Sequence, residues 1–161
     1  MTIIVGDKLP HATFQLVTSD GARPVTTKEF FGGRIIVLFG LPGAFTPPCH
    51  KTHLPGFLAN EAAFKAKGVA EIAMTAVNDK YVLAAWSKAT GADGHIAFLA
   101  DGAAEFAKAA GLDFDASAGG LGVRSKRYSM LVEDGMVRIL NIEESPGKVD
   151  LSDAAHLLAQ M

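Results

Sequence analysis

Thr46-Pro47-Pro48-Cys49-His50, with His53 four positions beyond the sulfur, is the stretch whose residue types could do chemistry. Cys49 is the only cysteine in the 161 residues, so neither an intramolecular disulfide nor dithiol exchange within the chain is possible. A thiol becomes a nucleophile by ionising. Lowering a free-thiol pKa of about 8.5 by roughly 1.5 to 2 units needs about 2–3 kcal/mol of preference for the anion. A helix N-terminus supplies about 0.3–1 kcal/mol, or ~2 when partly buried, through backbone N–H groups aimed at the sulfur. A neighbouring cation, worth about 1 to 3 units, closes the gap. The pattern therefore asks for an arginine from elsewhere in the chain. Most intracellular cysteines are instead small buried hydrophobes. Two prolines, two histidines and a threonine around Cys49 speak against that here.

Other chemistries use the same residues. Cys49, His50 and His53 form C-H-x-x-H, three potential zinc ligands where structural zinc normally takes four, and no metal is expected. A hydrolase would use Cys49 with His53 as base, but no orienting Asn or Asp identifies itself. Thioredoxin-type oxidoreductases place C-x-x-C at a strand-to-helix junction; here Thr46 stands at the first position. A hydroxyl three residues before the sulfur, on the same helix face, suits a small polar ligand.

The elements that must position these residues follow from hydrophobic pattern. Arg34 to Gly40, RIIVLFG, reads as a strand buried on both faces. Prolines then break it, and a helix follows from Pro47 or Pro48 with Thr46 as N-cap. Strands over 69–77 and 96–100 alternate with helices over 80–89, capped by Asn78 or Asp79, and 103–110, stopped by Gly111. Residues 127–132 and 136–142 flank Glu133-Asp134-Gly135, a hairpin signal, and Ser152-Asp153 open a last helix. Before all this, 13–17 and Pro24-Val25 form short N-terminal strands. The result is an α/β domain spanning 1–161 with a central mixed sheet flanked by helices and an N-terminal β extension. The net charge of −2, with no basic run, argues against nucleic acid. No apolar stretch is long enough to span a membrane, and Asp7 and Lys8 interrupt any secretory segment, so the cytoplasm is the expected location.

PGAFTPPCHKTHLPGF (42–57) resembles the P-x-x-x-T-x-x-C signature of peroxiredoxins, in the subgroup called type II in plants and type five in animals. The likeness continues through Ala76-Val77-Asn78-Asp79, HIAFLADG (95–102) and Lys126 to Met130, covering essentially the whole chain. It implies a thioredoxin-like fold and a thiol-dependent peroxidase without cofactor. Carried over, Cys49 is the nucleophile that attacks a hydroperoxide and becomes a sulfenic acid. Thr46 holds the peroxide oxygens, Pro42 shields the pocket, and Arg127 is the required cation, with Arg124 the runner-up. His53 supports the pocket or takes part directly; Gly43 and the Cys49 N–H are candidate oxyanion donors; Phe45, Leu121 and Phe114 are candidate walls of a shallow pocket. His50 departs from the small polar residue expected there, and a surface position is the simpler reading.

The resolving cysteine that relatives carry is missing both from EESPGKVDLSD (143–153) and from IAMTAVND (72–79). The expected cycle uses an external thiol, glutathione or a glutaredoxin, with thioredoxin as the other partner to test, and the alternative fate is over-oxidation. The resemblance also implies a homodimer. A peroxide sensor that passes oxidation to another protein would use the same cysteine and differ only in the fate of its oxidised form.

Overall fold

A computed structural model describes all 161 residues. Its nine strands and six helices run β1 (Thr13–Thr18), β2 (Gly21–Thr26), α1 (Thr27–Phe31) and β3 (Ile35–Gly40), then the cysteine segment. A π-helical turn, Cys49–His53, continues into α2 (Leu54–Ala59) and α3 (Glu61–Ala66). Next come β4 (Glu71–Ala76), α4 (Lys80–Thr90), β5 (Ile96–Ala100), α5 (Glu105–Ala109), β6 (Asp113–Asp115) and β7 (Val123–Ser125). The chain ends with β8 (Tyr128–Glu133), β9 (Met136–Ile142) and α6 (Ala154–Gln160). Seven strands form one mixed sheet in the order β2-β1-β5-β4-β3-β8-β9; β6 and β7 make a separate antiparallel ribbon.

The unbroken apolar run of β3 is explained by its place in that sheet. It pairs parallel with β4 and antiparallel with β8, and both its faces are covered. Val37 and Phe39 join Phe57, Phe64, Met74, Leu83, Trp86 and Leu157 in a layer under α2, α3, α4 and α6. Ile36 and Leu38 point the other way, into Phe14, Phe30, Phe31, Phe106 and Met130 under α1 and α5. Each such side chain contributes about 1.5–3 kcal/mol by leaving water. The α/β alternation and the mixed central sheet agree with the expected fold, and the N-terminal β1–β2 hairpin attaches to β5 as its antiparallel extension.

Local chemistry sets the ends of the elements. Asp79 caps α4, accepting from the Val82 N–H, and Gly91 ends it with φ +71°. Asp134 and Gly135, at φ +47° and +76°, make the two-residue primed turn between β8 and β9. The last helix takes Asp153 as its cap. Three details depart from the sequence expectation. The fifth helix starts at Glu105 rather than 103, because the Asp101 carboxylate reaches past that segment to accept the N–H groups of Phe106 and Ala107. Helix α1 and the β6–β7 ribbon were not anticipated: they are too short for a period to show. No helix is long and apolar enough to cross a membrane.

Candidate active site

Sheet register delivers the arginine. Tyr128 pairs with Gly40 at the end of β3, so Arg127 emerges at the strand edge where the chain turns toward Cys49. Alternation does the rest: Tyr128 and Met130 face the α1/α5 layer, which turns Arg127 and Ser129 to the side of the cysteine helix. Gly40 is needed at this crossing, since a Cβ there would overlap the Tyr128 ring.

Cys49 is fully buried in the α2-side layer. Arg127 is equally enclosed, at 1% exposure, and its guanidinium has three neighbours. Its Nη2 donates to Cys49 Sγ at 3.0 Å, Nη1 to His53 Nδ1 at 2.9 Å, and Nε to the Pro146 carbonyl at 3.0 Å. None of the ion pairs in the molecule involves Arg127. A buried guanidinium without a carboxylate is costly unless something nearby carries negative charge. The sulfur is in position to do so.

His53 is held from both sides. Its Nε2 lies 3.0 Å from the Ser152 carbonyl, an acceptor, so Nε2 carries the proton and Nδ1 offers its lone pair to Arg127. Burial first, and the Arg127 charge second, push the imidazole down to about 3, against the Ser152 bond, which favours the charged form. Neutral, with Nδ1 occupied, His53 is no base for the thiol, which removes the hydrolase reading. Nor do Cys49, His50 and His53 converge on a metal position: the two rings turn to different partners.

The loop before the cysteine is fixed independently. Thr46 serves as N-cap through its carbonyl, which accepts from the His50 N–H at 2.9 Å. Its hydroxyl does not cap the helix, as expected from sequence, but donates to the Gly43 carbonyl at 2.7 Å. With its proton so engaged, Oγ1 retains only its role as an acceptor. Asn78 Oδ1 accepts the Ala44 N–H at 2.9 Å, and Phe45 sits at φ +65° in the turn. Pro42 is buried, and its carbonyl accepts from Arg124 Nη1 at 3.2 Å. Arg124 thus braces this loop, and the thiol's partner is Arg127. A Cβ on Gly43 would come within 2.8 Å of that same Nη1.

The remaining candidates lie at the rim. Phe45 is 49% exposed and its ring stacks on His50. Leu121, 39% exposed, is tied to the site through its carbonyl, which accepts from Arg124 Nε. Phe114 lines a crevice of about 160 Å³ with Arg127, Glu143 and Pro146. His50 is not a mere surface residue: Trp86 Nε1 donates to its Nδ1 at 2.9 Å. Sequence reasoning missed that bond, the Asn78 tether and Glu143. Asn78, next to the α4 cap, was the one with a readable signal.

Against known proteins, the Redoxin family pattern matches residues 4–158. The chain is 42% identical to rice (Oryza sativa subsp. japonica) peroxiredoxin-2C over 159 residues, covering 97% of this chain and 96% of the relative. This chain belongs to the Redoxin family, among the peroxiredoxins. Rice peroxiredoxin-2E-2, a chloroplastic protein, is 46% identical over 162 residues, 98% of this chain and 72% of the relative. Reduced Prx3 from Vibrio vulnificus, solved in complex with hydrogen peroxide, superposes with a TM-score of 0.93 at 43% identity, covering 99% of each chain. As a peroxiredoxin of the Prx2 type with one cysteine, the chain is a thiol-dependent peroxidase with an antioxidant role and a thioredoxin-like fold.

Proposed function

We propose that Cys49 is the peroxidatic residue. As thiolate it attacks the outer oxygen of a hydroperoxide and the O–O bond breaks. Sulfur keeps one oxygen as sulfenic acid, and the other leaves with the bonding pair, taking a proton to become water or an alcohol. The supporting observation is the buried Arg127 fork, which reaches Sγ at 3.0 Å with no competing carboxylate. The same Nη2 suits the charge that develops on the oxygens in flight. Thr46 Oγ1, its proton engaged by Gly43, accepts a hydrogen bond from the peroxide O–H. Pro42 shields the pocket, the N–H groups of Gly43 and Cys49 are the proposed donors to the developing oxyanion, and Phe45 and Leu121 stand at the rim. Hydrogen peroxide and small alkyl hydroperoxides are the substrates.

Regeneration needs two external thiols: the first displaces water from the sulfenic acid to give a mixed disulfide, and the second releases Cys49. Glutathione or a glutaredoxin is the proposed reductant. Because Cys49 is fully buried, the first turn of its helix must open for a molecule of that size to reach the sulfur. A reducing compartment, the cytoplasm, suits this cycle. Pairing of two copies beside the site is supported by the exposed Phe45, Leu121 and Val123 at its rim. One equivalent of peroxide should add one oxygen to Cys49, trapped by a sulfenic-acid reagent and found by mass spectrometry. NADPH-coupled turnover should then require glutathione with glutaredoxin. No adduct on Cys49 would end the first proposal; turnover with thioredoxin alone would revise the second.

A further inference from the structure

Both groups that orient the Arg127–His53 pair from outside come from one loop, residues 143–153. Pro146 supplies the carbonyl for Arg127 Nε, and Ser152 the carbonyl for His53 Nε2. That loop has little regular structure, so its own anchor matters. Glu143 provides it. Only 7% exposed, it gathers four donors on a single oxygen, Oε2: the N–H groups of Asp150 and Leu151 at 2.8 Å, the Ser152 N–H at 2.7 Å and the Ser152 hydroxyl at 2.6 Å. No Lys, Arg or His pairs with it. Its main chain meets the same arginine from the other side, the Glu143 N–H donating to the Arg127 carbonyl at 2.9 Å.

We propose that Glu143 is a positioning residue for the peroxidase reaction: it folds the 143–153 loop onto the site so that Pro146 and Ser152 aim Arg127 and fix the His53 tautomer. The chain of contacts runs from the carboxylate to Ser152, from its carbonyl to Nε2–H, and from Nδ1 to Nη1, leaving Nη2 for the sulfur. Without the anchor, the imidazole can carry its proton on Nδ1 instead. Two N–H groups would then face each other and push the guanidinium off line. The inference rests on the Cys49 reading above for its rate consequence only.

Electrostatics gives this idea a sign that separates it from its rival. A carboxylate near the site opposes an anion at Cys49 through Coulomb's law, so removing its charge should speed oxidation if charge alone mattered. Positioning demands the reverse. Residues that orient the ligands of a catalytic metal typically cost about 10–100-fold when removed, and a slowing of the same order is expected for this analogous outer partner of the Arg127–His53 pair.

The test uses the full-length protein with Glu143→Gln and Glu143→Ala, and Glu144→Gln as a control that removes a neighbouring exposed charge. Stopped-flow oxidation by hydrogen peroxide, nitrogen NMR of the His53 ring and thermal unfolding are measured on each. The expected result is oxidation about 10–100-fold slower in Glu143→Gln, with a changed His53 tautomer signal and an unaltered Glu144→Gln. Rates equal to or faster than wild type in Glu143→Gln, or a lowered melting temperature with the wild-type ring signal and rate, would overturn the proposal. Should Glu143→Ala fail to fold, Glu143→Gln, which keeps an acceptor oxygen, decides. Should wild-type Cys49 prove inert to peroxide, the ring signal still reads out Glu143, while the catalytic reading falls separately.

Discussion

His53 owes its neutral state to burial first and to the charge of Arg127 second. The guanidinium stays charged, the imidazole stays neutral, and the hydrogen bond between them runs in the one direction this allows. That neutrality has a measurable consequence. In the unfolded chain His53 takes up a proton below about 6.5, whereas in the fold it resists until about 3. Between those values the unfolded state binds more protons, so stability is present in full above the window and is lost as pH falls through it. The slope from this one group approaches about 1.4 kcal/mol per pH unit. Denaturant unfolding from pH 7 to 4 should therefore show a steeper acid loss in the wild type than in His53→Gln. Parallel pH profiles would mean that His53 is not held neutral.

Elements place these groups more firmly than the loops around them do. The β3–β8 register sets which side of the sheet Arg127 takes, because a slip of one residue would send it to the α1/α5 face. Gly40 and Tyr128 lock that register by close approach. Gly40→Ala should cost about 1–3 kcal/mol through overpacking and should slow Cys49 oxidation as well, since Arg127 adjoins the displaced ring. Urea unfolding and stopped-flow on the same samples check this; a stable, fully active Gly40→Ala would show that the register does not depend on the glycine. The helix carrying Cys49 is interrupted at the sulfur itself: the Leu54 N–H reaches five residues back to the Cys49 carbonyl, a π-type turn. Such turns recur at functional sites, and here it begins at the residue proposed as the nucleophile.

At the scale of the molecule, the sequence announced what depends on period and punctuation. β3 was legible as a continuous apolar run, the β8–β9 hairpin as Asp134-Gly135, and Cys49 with Thr46 and Arg127 as a signature. What it hid depends on three-dimensional direction. The Thr46 hydroxyl could equally have capped the helix, and only the turn at Phe45 shows that it faces the Gly43 carbonyl. Arg124 and Arg127 differ by three residues in one segment; the sheet edge alone separates the brace of Pro42 from the partner of the sulfur. Glu143 looked like a loop residue because the four donors it collects are mostly backbone groups, which no side-chain pattern records. The claim that joins these scales is that a guanidinium from the distal strand makes Cys49 reactive. Stopped-flow oxidation by hydrogen peroxide, wild type against Arg127→Ala, tests it most directly. The account predicts a loss of several orders of magnitude, each tenfold being about 1.36 kcal/mol of transition-state stabilisation. A variant that is folded and oxidised at the wild-type rate would contradict it.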